Sequence, residues 1–115
     1  MRLELCEMEG GGGAIVTVEG EVGFSEVQAL KMKLDQALKV KGKGLAVDLS
    51  GVNFIASDGL GVLIRTQAHA AKEGKGFALV QPPARIMELL TKTQLTRIFT
   101  ICPTLEEALI AAQGP

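Results

Sequence analysis

The chain of 115 residues carries 12 basic and 13 acidic side chains, a net charge of -1, with 47% hydrophobic and 3% aromatic residues. That length suits one domain, and the apolar fraction excludes an intrinsically disordered chain. Balanced charge, four Phe and no Tyr or Trp argue against direct nucleic-acid binding, which draws on a basic face and aromatic stacking platforms.

Leu3, Leu5 and Met8 precede four glycines at positions 10–13, and Ala14, Ile15, Val16, Thr17 and Val18 follow them. Two β-prone stretches around glycines predict a hairpin with a loose tip. No Lys-Ser or Lys-Thr follows the glycines, which argues against a phosphate loop. Ser25 and Gln28 have the spacing of a capping box, so a first helix is expected from Ser25. Val27, Leu30, Leu34, Ala37 and Leu38 form its apolar face, and Gly42 and Gly44 stop it. Lys39, Lys41 and Lys43 read as a solvated helix end, favourable to its dipole.

Leu45, Ala46, Val47, Asp48 and Leu49 suggest a strand covered on both faces, followed by a turn over residues 50–53. A second helix is expected from Ser57 and Asp58 to Gly74, then a strand over residues 77–80. Pro82 and Pro83 open a third helix, since proline tolerates the first turn. A last strand is placed at residues 98–101. Thr104 and Glu107 suggest a capping box for a final helix with Leu105, Ala108, Leu109 and Ala112 on one stripe. The order predicts a single α/β domain over residues 1–115, a mixed, mostly parallel sheet of about five strands with about four helices.

Cys6 and Cys102 match no metal-ligand spacing and read as reduced, buried small hydrophobes. His69, the sole histidine, lies mid-helix among alanines and suits a surface or packing role. No metal or cofactor is expected. The acid-interrupted start has no signal-peptide apolar region, and no run approaches the ~20 residues of a membrane span. These features point to a cytoplasmic protein.

Catalysis has little to work with. A nucleophile elbow around Ser57 would need glycine where Ile55 stands. Ser57 instead occupies a strand-to-helix turn, where its hydroxyl is expected to cap free backbone N–H groups. Those groups and the helix dipole also accommodate a phosphate dianion. Gly59 and Gly61 bare the first turn to another backbone. The position suits an acceptor that goes from neutral to about -2 on phosphorylation.

The segment Val47-Asp48-Leu49-Ser50-Gly51-Val52-Asn53-Phe54-Ile55-Ala56-Ser57-Asp58-Gly59-Leu60-Gly61-Val62-Leu63 resembles the signature of the STAS domain, as in bacterial anti-sigma factor antagonists. Gly20-Glu21-Val22 and Thr104-Leu105-Glu106-Glu107-Ala108-Leu109 match further parts of that family's pattern. The resemblance implies a STAS-fold module without catalysis that binds an anti-sigma factor with serine kinase activity. It implies phosphorylation of Ser57 as the event that ends binding, with a serine phosphatase as a further candidate partner. Ser25, Ala56, Asp58, Gly59, Leu60 and Gly61 would lie at the contact surface. Phe24 would lie there too, or else in the core. The chain departs from the family pattern at Gly23 and Ala56, where Asp is common, and at Asp58, where a second Ser or Thr is usual. Those departures suit an alternative reading, a non-switching STAS subunit of a lipid-transport ATPase or a stress-signalling scaffold.

Overall fold

In the computed structural model, which describes residues 1–111, β1 (Arg2–Met8) runs antiparallel to β2 (Gly13–Val22). The hairpin is tighter than the glycine run suggests. A 3-10 turn spans Glu9–Gly11, and Gly12 and Gly13 are buried. Gly13 faces Gly44, the first residue of the next strand, and a Cβ added at Gly13 would lie 1.9 Å from the Gly44 carbonyl oxygen. Its φ of +113° also lies where side chains are strained. The two strands can start side by side because Gly13 carries no side chain.

Helix α1 (Val27–Leu38) joins β2 to β3 (Gly44–Ile55) and buries Leu30, Leu34, Ala37 and Leu38. Each fully buried leucine contributes about 1.5–3 kcal/mol. Ser25 does not cap this helix: it lies in a 3-10 turn, Phe24–Glu26, that precedes α1. Glu26 closes that turn instead, its carboxylate accepting hydrogen bonds from the Gly23 N–H and the Ser25 hydroxyl. At the other end the Lys75 ammonium donates to the Leu38 and Val40 carbonyls, satisfying acceptors that the helix leaves open.

Helices α2 (Ser57–Lys72) and α3 (Ala84–Lys92), strand β4 (Gly76–Val80), strand β5 (Thr100–Cys102) and helix α4 (Leu105–Ala111) complete the described chain. The sheet has five strands in the order β1-β2-β3-β4-β5, parallel from β2 onward with β1 as an antiparallel edge. Strand–helix–strand crossovers account for that parallel order. The last strand starts two residues later than its sequence suggests, because Leu95–Arg97 forms a 3-10 turn and Phe99 turns inward. Phe99 packs on Phe77, ring centroids 6.1 Å apart.

The expected turn over residues 50–53 is absent; β3 runs unbroken through it. The turn signal is real but local, for the Asp48 carboxylate accepts the Ser50 N–H at 2.9 Å. It is overridden because β2 keeps pairing after β4 stops. The β3–β4 ladder ends at Asp48 and Val80, whereas β2 and β3 stay paired to Val22 and Ile55. Between Thr17 and Glu19, and again between Gly20 and Glu21, β3 takes in one extra residue, a bulge each time. Bulges bend a strand and re-aim its side chains.

Two cores flank the sheet. Leu30, Leu34, Leu63, Ile86 and Leu90 of α1–α3 pack on Val16, Leu45, Val47 and Leu79. On the other face Ala108 of α4 meets Ala46, Ala78, Val80 and Cys102. The Thr104 hydroxyl accepts the Glu107 N–H at 3.1 Å, the backbone half of the expected capping box. Ala112, expected on the same stripe, lies outside the described residues.

Cys6 departs from expectation. Both thiols are free, but Cys6 is exposed while Cys102 is buried. Leu3 and Leu5 pack inward, so alternation turns Cys6 to the opposite face of the edge strand, where α4 packs mainly on β3–β5. Burial, with Glu107 nearby, also raises the pKa of Cys102. A thiol reagent applied to the native protein should therefore modify Cys6 within minutes and Cys102 only on denaturation. Two equal, fast phases in native buffer would contradict this packing.

Candidate functional site

The ends of β2 and β3 set the geometry. Val22 pairs with Ile55, and the Ala56 N–H donates to the Val22 carbonyl at 2.8 Å. The chains then leave the sheet together, one into the turn Phe24–Glu26 and the other into α2. The sheet thus brings Phe24 and Ser25 beside Ser57 and Asp58.

Ser57 is exposed, but it does not cap α2. The cap position belongs to Ala56, in extended conformation at φ -71° and ψ 157°, and no side chain caps the helix. A capping oxygen must come from the residue before the first helical one, and Ser57 is one place too late. The Ala56 carbonyl accepts the N–H groups of Gly59 at 2.8 Å and Leu60 at 3.1 Å. The amides of Ser57 and Asp58 are left as the open donors of the first turn. A hydroxyl held at the surface, next to unpaired donors and the positive end of a helix dipole, is an accessible acceptor for an anionic group. Asp58, also exposed, supplies an acid to that turn.

Two expected contact residues do not reach the surface. Gly59 is buried and Leu60 is 6% exposed. A Cβ on Gly59 would approach Ile55 Cγ1 to 2.9 Å and Val22 Cγ1 to 3.2 Å. That glycine serves the close seating of α2 on the sheet, not an outside partner. Gly61 is the reverse case: it is exposed, and an added Cβ would meet nothing within 4 Å. Glycine inside a helix costs about 0.5–1 kcal/mol relative to alanine. Gly61→Ala should therefore raise the free energy of unfolding by about that amount, read as a higher urea midpoint at unchanged slope.

Phe24 is 80% exposed and Phe54 48% exposed. Half of the chain's four Phe thus stand on the surface, both on segments adjoining Ser57, while the other two form the core pair. Nothing in the sequence singles out Phe54, which follows the expected turn over residues 50–53. Its outward aim comes from the second bulge: Asn53 is the extra residue, and Asn53 and Phe54 are both exposed in succession. Glu26 borders the same turn, its pKa lowered by the Ser25 hydroxyl first and by the Gly23 amide as well.

His69 lies farther along α2, exposed, 3.7 Å from Glu73 one turn on. Among the described residues no group of three His, Cys, Asp or Glu side chains could hold a metal ion. No described helix is long and apolar enough to cross a membrane.

A family model described as the STAS domain matches residues 6–108. The chain belongs to the STAS domain family. A Thermotoga neapolitana protein that bears the name of an anti-sigma factor antagonist, a TM1081 homolog, is 36% identical over 84 residues, 73% of this chain and 74% of that one. The crystal structure of an anti-sigma factor antagonist from Mycobacterium paratuberculosis superposes with a TM-score of 0.79 at 30% identity, covering 97% of this chain and 95% of the other. The fold is also shared with SpoIIAA in its unphosphorylated form, at a TM-score of 0.78, 17% identity and coverage of 94% and 93%. For the phosphorylated form of SpoIIAA, from Bacillus, the TM-score is 0.72 at 17% identity, with coverage of 95% and 97%.

In this STAS domain the departures at Gly23, Ala56 and Asp58 now have positions. Gly23 gives its N–H to Glu26, so the carboxylate of that turn comes from three residues downstream. Ala56 is the uncapped start of α2, and Asp58 carries the acid of its first turn.

Proposed function

We propose that the protein is an anti-sigma factor antagonist: a cytoplasmic, non-enzymatic binding module that docks an anti-sigma factor with serine kinase activity and is released by phosphorylation at Ser57. The observation that carries this reading is the exposed Ser57 hydroxyl at an uncapped helix start, bordered by Phe24, Phe54 and the bare surface of Gly61. Exposed aromatics are typical anchors of protein contacts. The bare helix turn lets a partner backbone approach, which accounts for a glycine that lowers helix stability. Partner contacts fall to Phe24, Ser25, Ala56, Asp58 and Gly61, with Gly59 and Leu60 shaping the turn from beneath. Relatives named as anti-sigma factor antagonists support the class of partner.

Phosphorylation would act by charge. A dianion in an interface fitted to a hydroxyl loses solvation and also faces Asp58. Incubating the protein with the serine-kinase anti-sigma factors of its host and ATP, then mapping the product by mass spectrometry, tests the switch. Phosphate on Ser57 that accompanies release is the expected result. Stable binding with Ser57 never modified would instead identify a permanent subunit, the role that Gly23, Ala56 and Asp58 suit.

A further inference from the structure

We infer that the slot between Phe54 and α3 is a second docking site on the same face, taking an apolar side chain flanked by a carboxylate from the anti-sigma factor that meets Ser57. The inference rests on the antagonist reading and extends it. The slot, about 310 Å³, is lined by Phe54, Ile55, Ile86 and Leu89, with Arg85, Glu88 and Lys92 around it. Its volume is at the lower end of the roughly 300–1,000 Å³ of ligand clefts, which suits an inserted side chain better than a whole helix. The lining is continuous with the site, since Phe54 and Ile55 lead directly into Ala56 and Ser57. The bulge at Asn53 turns Phe54 outward, so the slot has an aromatic wall where regular alternation would bury the ring.

Charge selects the occupant. The Lys92 ammonium pairs with the Glu88 carboxylate at 3.1 Å, which balances both. Arg85 is exposed and forms no ion pair with an acid among the described residues. The rim therefore presents one uncompensated guanidinium, a planar donor fork that favours a carboxylate over other groups. An apolar anchor beside an acid satisfies the floor and the rim together.

Calorimetric titration with the purified anti-sigma factors of the host, one at a time, tests this. Wild type, Arg85→Glu, Arg85→Gln, Leu89→Glu and Gly61→Leu are compared, with thermal melts of each variant. Arg85 is exposed, so Arg85→Glu keeps the test valid should Leu89→Glu fail to fold. Arg85→Glu is expected to weaken binding at least tenfold, and Arg85→Gln to flatten the salt dependence of the wild type. Unchanged affinity in both Arg85 variants, alongside loss in Gly61→Leu, would overturn the slot and leave the antagonist reading standing. Absence of binding by wild type would overturn both. Wild-type dimers dissolved by Arg85→Glu would give the slot to a second copy and overturn the assignment.

Discussion

Ser57→Glu should weaken the anti-sigma factor complex by tenfold to a thousandfold while leaving the fold intact. The variant places a fixed negative charge at the exposed first position of α2. There the helix dipole favours an acid by about 0.3–1 kcal/mol, offset in part by Asp58 next door. The free protein should thus melt within a few degrees of wild type. The cost falls on the complex, where the carboxylate must shed water against a surface fitted to a hydroxyl, and a few kcal/mol there is one to three decades in Kd. Ser57→Ala is the control. Because the hydroxyl does not cap the helix, its removal should change stability by less than about 0.5 kcal/mol and retain binding within a few-fold. Affinity measured by calorimetry for the three proteins checks this. Equal affinity of Ser57→Glu and wild type would remove Ser57 from the interface.

Gly13→Ala should be among the most destabilising single substitutions in the chain, by about 3 kcal/mol or more. The added methyl would sit 1.9 Å from the backbone oxygen of Gly44, at a φ of +113°. Neither atom belongs to a flexible side chain that can move aside, so the heads of β2 and β3 must separate. Backbone strain alone accounts for about 1–3 kcal/mol, and broken strand pairing adds to it. Gly10→Ala is the comparison within the same loop. Its φ of +70° is strained, but an added Cβ meets nothing within 4 Å, so it should cost clearly less. Urea unfolding of the two variants reads the difference directly; equal losses would show that the buried contact contributes nothing.

Much of the architecture was legible because hydrophobic period and capping chemistry are local. The stripe Leu30, Leu34, Ala37, Leu38 and the run at residues 45–49 each state their own burial, and both are buried as expected apart from half-buried Asp48. Thr104 held its cap because a hydroxyl and an amide three residues apart need no third party. Ser25 failed as a cap because Glu26 competes for the same turn with a longer, charged acceptor, which the spacing to Gln28 does not weigh.

Residues 50–55 divide what the chain states for itself from what assembly adds. The order of elements, the antiparallel edge and the placing of Ser57 at a helix start all follow from patterns within a few residues. The continuation of β3 past Asp48 does not, because it depends on β2 supplying hydrogen-bond partners from over thirty residues away in sequence. With that pairing come the bulges that turn Phe54 outward, the burial of Gly59 against Val22 and Ile55, and the bare surface at Gly61. Backbone pairing between distant segments, rather than the preference of any residue, sets which side chains of this face meet a partner.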